Sequence, residues 1–95
     1  MKQIYTNTLY EKLRNCLSYI KDKYNISYKE MSIGTGIPVS RIYDIRNKGY
    51  EPTIEELISF TKAFNLNLED EDKFRLITAA GYDEEFALTI IMCTD

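Results

Sequence analysis

Residues 27–45 read SYKEMSIGTGIPVSRIYDI, and this stretch decides the fold. Ser27 and Glu30 form a capping-box pattern, in which each side chain satisfies a backbone N–H of a first helical turn. A short helix opens there and runs into Gly34 and Gly36, which tolerate the positive φ of a helix end and close it. Pro38 then suits the first turn of a new helix, where its missing N–H has no partner to lose. Two short helices joined by a tight glycine turn form a steep helical pair. Such a pair needs a small residue where the backbones approach, and Ser32, one turn before Gly36, fits. Met31, Ile37, Ile42 and Ile45 point inward. Val39, Ser40, Arg41, Tyr43, Asp44 and Asn47 are left on the sides of the second helix that need no burial.

The same signals extend outward. Thr8 and Glu11 form a capping box before an apolar stripe of Leu9, Leu13, Cys16, Leu17, Ile20 and Tyr24, so a first helix is expected from Leu9 to Lys23, ended by Asn25. The helix after Pro38 ends near Asn47–Gly49. Thr53 and Glu56 cap a fourth helix lined by Ile54, Leu57, Ile58, Thr61 and Phe64. Asn65–Leu68 reads as a turn. A fifth helix runs from Asp70 to Ala80 with Phe74 and Ile77 inward. Its leading acids sit where the helix dipole favours them. Asp83 could cap a last helix, although Leu88-Thr89-Ile90-Ile91 is β-branched enough for a strand. The fold class is therefore all-α: five helices and a short C-terminal extension, read as helix with strand as the alternative.

Composition narrows the function. The 95 residues are 44% hydrophobic and 28% charged, which suits one soluble domain with a modest core. No apolar run approaches the ~20 residues of a membrane span, and the N-terminus lacks a basic-then-apolar signal pattern, so a cytoplasmic location is expected. Cys16 and Cys93 are far apart and histidine is absent, so neither a disulfide framework nor a zinc site is expected. Cys16, on the apolar stripe, reads as an inert small hydrophobe, and Tyr24 reads as core. Gly34-Thr35-Gly36 lacks the lysine-containing phosphate-loop pattern. With no histidine and no Ser or Cys beside an evident base, no catalytic residue, metal or cofactor is assigned, and an enzyme is not expected.

The net charge of −3 hides an asymmetry. Residues 1–50 carry nine Lys/Arg against four acids, and residues 51–95 carry three against eleven. A basic half joined to an acidic half fits one face for a polyanion and another turned away from it; chance segregation of solvated charge is the alternative.

The segment ISYKEMSIGTGIPVSRIYDIRNKGYEP resembles the lambda-repressor-like, or Xre-type, helix-turn-helix family. The shared features are Ile26-Ser27 before the first motif helix, Ser32 within it, Gly36 in the turn, and Ile37, Ile42 and Ile45. Pro52 before the amphipathic TIEELISFTKAFNL adds to them. The resemblance covers Leu9–Leu68, and EDEDKFRLITAAGYD is similar to an extension found in some members. The chain departs from the family pattern at Pro38, commonly Ser or Thr, at Arg46, often Glu, and in having its glycine at Gly49. The implied layout is a DNA-binding domain over residues 1–68 and a helical extension over 69–95.

By that resemblance the helix Pro38–Asn47 enters the major groove. Val39, Ser40, Tyr43 and Asp44 then face base edges, and Tyr28 lies near the DNA backbone. The chemistry is compatible: a hydroxyl at Ser40, an apolar surface for a thymine methyl at Val39, an acceptor for cytosine N4 at Asp44. Lys29, Arg41, Arg46, Asn47 and Lys48 are phosphate candidates, with Tyr50 also near DNA. Asp44 has a second reading as an ion-pair partner of Arg41 or Lys48. Arg46 has one as a partner of Glu51 or Asp22. In the apolar tail, Phe86, Leu88, Ile90 and Ile91 either pack on the domain or form a homodimer contact. The implied function is a dimeric repressor binding double-stranded DNA. The alternatives are a protein-interaction module on the same fold, such as an anti-repressor or other inhibitor, and an antitoxin-like subunit whose acidic C-terminal half grips a protein partner.

Overall fold

The computed structural model describes residues 2–94, with side chains from 11 to 93. Six helices and no strand occur among them: α1 Lys2–Lys23, α2 Tyr28–Thr35, α3 Val39–Lys48, α4 Ile54–Lys62, α5 Asp70–Ala79 and α6 Glu84–Thr94. None of these helices is long and apolar enough to cross a membrane. The extension is thus a sixth helix. Its β-branched residues are accommodated because Ala87, Ile90 and Ile91 bury against Ile77, with Ile58, Phe74, Tyr82 and Phe86 around them. Asp83 caps it, accepting from the Phe86 N–H at 2.8 Å.

Local signals account for most helix ends. At α2 the Glu30 N–H donates to Ser27 Oγ at 3.1 Å and the Ser27 N–H donates to Glu30 Oε1 at 2.9 Å. Thr53 and Glu56 repeat the arrangement at α4. Asn25 leaves α1 with φ 51°. Gly36 ends α2 with φ 78°, its N–H donating to the Ser32 carbonyl. Ser32 Oγ donates to the Ile37 carbonyl at 2.6 Å, so the small residue bridges the turn.

Four expectations are corrected. Helix α1 begins at Lys2, so Thr8 lies inside it and cannot be its N-cap. Gly34 does not end α2: it stays within the helix, where a Cβ would come 1.7 Å from Asn65 Oδ1. Its bareness lets the Asn65 amide reach the Glu30 carbonyl at 2.8 Å. Pro38 is the N-cap of α3 rather than its first helical residue. Phe64 is 79% exposed, because the chain turns extended at Ala63 and leaves the helical period; Phe60 fills the inward position instead.

The main core joins Leu13, Cys16, Leu17 and Ile20 of α1 to Met31, Ile42, Ile45, Leu57, Phe60, Leu66 and Leu76. Burial pushes the Cys16 thiol up to about 12, leaving it protonated and inert. A polar tie fastens α1 to α5. Tyr24 packs on the core as expected, but its hydroxyl donates to Asp72 Oδ2 at 2.5 Å and accepts from the Glu69 N–H at 2.9 Å. Lys23 Nζ reaches the same Asp72 oxygen at 2.8 Å and Glu69 Oε1 at 2.7 Å. Burial pushes the Asp72 carboxyl upward, but the bonds from Lys23 and Tyr24 outweigh it and hold the group below its ordinary value.

Candidate nucleic-acid interface

Helix α3 is pinned by Ile42 and Ile45, both buried. The 3.6-residue period then turns Ser40, Tyr43, Asn47 and Lys48 to solvent, while Val39, Arg41, Asp44 and Arg46 are half-buried at the flanks. Tyr43 is 44% exposed, and Tyr50, just beyond the helix, 49%. Val39 also packs against the core, so only part of it faces outward. Lys29 is exposed on α2. Asp44 takes one of its two expected partners: Lys48 Nζ lies 3.4 Å from Oδ1. That pair offsets a carboxylate on a helix otherwise supplied with cations.

Two expected contacts are drawn inward. Arg41 faces α4, with Nε donating to Glu56 Oε2 at 2.8 Å, and Nη2 to Glu56 Oε1 at 3.0 Å and to the Glu51 carbonyl at 2.9 Å. The Arg41 hydrogen bond is the chief cause holding the Glu56 carboxyl below its ordinary range. Arg41 therefore braces α3 against the start of α4. The Tyr28 ring is buried, and its hydroxyl accepts from Arg46 Nε at 2.8 Å. Arg46 takes neither Glu51 nor Asp22; it uses Tyr28 and, through Nη1 at 2.7 Å, Asn47 Oδ1.

Tyr28 also meets the edge of Tyr43, with centroids 5.7 Å apart and planes at 71°. Lys21 Nζ sits 5.9 Å from the same ring centroid. Sequence reasoning missed Lys21, which is an unremarked charge in the last turn of α1 until the fold brings it beside α2.

In the tail, Ile90 and Ile91 are buried and Phe86 stacks on Tyr82 with centroids 5.0 Å apart, so these three serve the domain's own packing. Leu88 stays 53% exposed, and Met92, one turn further on, 76%.

A capped helix, a glycine turn, and a second helix that buries two isoleucines and presents a polar outer face define a helix-turn-helix protein. Residues 16–70 match the model of the Cro/C1-type HTH DNA-binding domain, more than half of the chain. The chain belongs to that family, in keeping with the lambda-repressor-like resemblance, and is a DNA-binding domain of the kind used in transcription regulation. No curated protein and no solved structure gave a significant match.

Proposed function

We propose that the chain is a sequence-specific transcriptional regulator, a cytoplasmic repressor acting as a homodimer, with the helix Pro38–Asn47 read into the major groove. The observation that carries this reading is the α3 surface: a helix held by two buried isoleucines whose outward side chains, Ser40, Tyr43 and Lys48, are exposed. Val39, Ser40, Tyr43 and Asp44 are the base-reading group. Lys29, Arg46, Asn47, Lys48 and Tyr50 are the phosphate group, with Arg41 and Tyr28 acting behind them. Residues 1–68 form the DNA-binding unit, and the extension over 69–95 offers Leu88 and Met92 to a second copy. A two-fold dimer spaces its reading helices roughly 34 Å apart, one turn of DNA.

A gel shift on the DNA flanking the gene tests this at two salt concentrations. Wild type forms a discrete complex that weakens steeply with salt. The Ser40→Ala/Tyr43→Ala variant stays folded, melting lower only by the loss of the Tyr28–Tyr43 ring contact, about 1 kcal/mol, and loses roughly 2 kcal/mol of specific affinity, about thirtyfold. Binding unchanged in that variant removes α3 from the reading surface.

Asp44 on that surface motivates the second reading, a protein-interaction module of the anti-repressor kind. A complex with a protein partner that resists salt, together with no DNA complex at low salt, favours it.

A further inference from the structure

Among the described residues, two groups of cations differ in what they lie against. Lys23, Arg41, Lys48, Lys73 and Arg75 each lie against a carboxylate. Arg46 and Lys21 are held by neutral groups. Arg46 stands with its guanidinium carbon 5.5 Å from the Tyr28 ring centroid, its Nε on the Tyr28 hydroxyl and its Nη1 on the Asn47 amide oxygen. Lys21 Nζ stands 5.9 Å from that centroid. A ring face and a phenol oxygen orient a cation without neutralising it. Two full positive charges therefore share one aromatic platform, at the junction of the end of α1, the start of α2 and the end of α3. Asp22 and Glu30 line the same surface depression as Lys21. Glu30 is engaged by the Ser27 N–H, and among the described residues neither acid forms an ion pair with Lys21.

With Nε and Nη1 anchored, the Nη2 donors of Arg46 remain to meet an anionic oxygen, and Lys21 supplies a second, rotatable donor group nearby. We infer that Lys21 and Arg46, arranged around Tyr28, form a binding site for a backbone phosphate of DNA, with Tyr28 as its positioning residue. The inference rests on the DNA-binding reading and adds to it an anchor from α1 and a role for a buried tyrosine. The pairing of two cations on one ring fixes where the DNA backbone runs relative to α3, so it sets the register of the reading helix.

Phosphate contacts carry no sequence information, so a short mixed-sequence duplex at low salt is the probe, followed by fluorescence anisotropy over a salt series. Lys21→Gln and Arg46→Gln each reduce the slope of log affinity against log salt, and the double variant, which empties this one-phosphate site, reduces it by about 0.9 in all. Tyr28→Phe removes only a hydroxyl. It weakens low-salt binding by about fivefold in the wild-type background, and has no further effect when Arg46 is already Gln. Thermal melts of all variants show whether each is folded. Slopes unchanged in Lys21→Gln or Arg46→Gln overturn the site, and an equal loss from Tyr28→Phe in both backgrounds overturns the positioning role. Wild-type protein with no salt-dependent duplex binding at all removes the DNA reading itself and this site with it. That outcome is distinct from a wild type that binds alongside variants that do not differ.

Discussion

Asp72→Ala lowers the stability of this domain by about 3 kcal/mol, the low end of what breaking a buried charge network costs, and in a chain of this size the melting temperature falls by roughly 12–24 °C. Asp72 is fully buried, and its Oδ2 receives both Lys23 and the Tyr24 hydroxyl. Alanine leaves the tyrosine hydroxyl without its acceptor and leaves space where a packed carboxylate stood. Lys23 keeps Glu69 and turns to solvent, which holds the loss at the low end.

The same network fixes the sign of the pH dependence. The Asp72 carboxyl is held below its ordinary value when folded. Its contribution is complete above the unfolded value of about 4 and is lost as pH falls below that. Glu56 is shifted the same way, chiefly by the Arg41 hydrogen bond, and Glu30 by its hydrogen bonds with Ser27. Urea midpoints measured from neutral pH downward therefore fall below about pH 4 in wild type, and less steeply in Asp72→Ala. A flat acid profile in the wild type would show that the network is not formed.

Glu56→Ala costs about 2–3 kcal/mol, the sum of a lost cap and a charge-assisted bond. One carboxylate serves two tasks here. Oε1 accepts from the Thr53 N–H at 2.8 Å and closes the capping box, and both oxygens take the Arg41 fork. Its removal frays α4 and releases α3 together. Glu56→Gln keeps an acceptor for the Thr53 N–H and loses the charge on the Arg41 pair, so it costs about 1 kcal/mol. Chemical denaturation of the two variants checks the difference. A wild-type-like midpoint in Glu56→Ala would mean that the Arg41 bridge does not hold α3 to α4. Arg41→Ala is expected to behave like Glu56→Ala, so a weakened DNA complex in that variant reports a loosened helix rather than a lost phosphate contact.

What could be read from the sequence was local. The capping boxes at Ser27 and Thr53, the helix ends at Asn25 and Gly36, and the Ile42/Ile45 spacing each depend on residues within a turn or two of one another, and each appears where the chain chemistry requires it, whereas the box expected at Thr8 falls inside α1. What could not be read was tertiary. Arg41 looked like a phosphate ligand because its partner, Glu56, lies fifteen residues away on another helix. Phe64 fitted the period of α4, but the helix stops at Lys62. The tail was ambiguous because β-branched residues favour a strand locally, and only burial against Ile77 makes the helix preferable. Gly34 read as a helix end; its close approach to Asn65, thirty-one positions on, is invisible in one dimension. The outward face of α3 was legible from its two buried isoleucines. Which of the surrounding cations are already neutralised was not.

We propose that α3 reads DNA sequence. The most direct measurement is selection by the full chain from a random duplex pool, followed by affinity for the recovered sequence and for a scrambled one at the same physiological salt. The expected result is a defined recovered site bound at least about a thousandfold more tightly than the scrambled duplex, with Ser40→Ala/Tyr43→Ala reducing that ratio. A pool that stays random after repeated rounds, or a recovered sequence bound no better than its scramble, would contradict it.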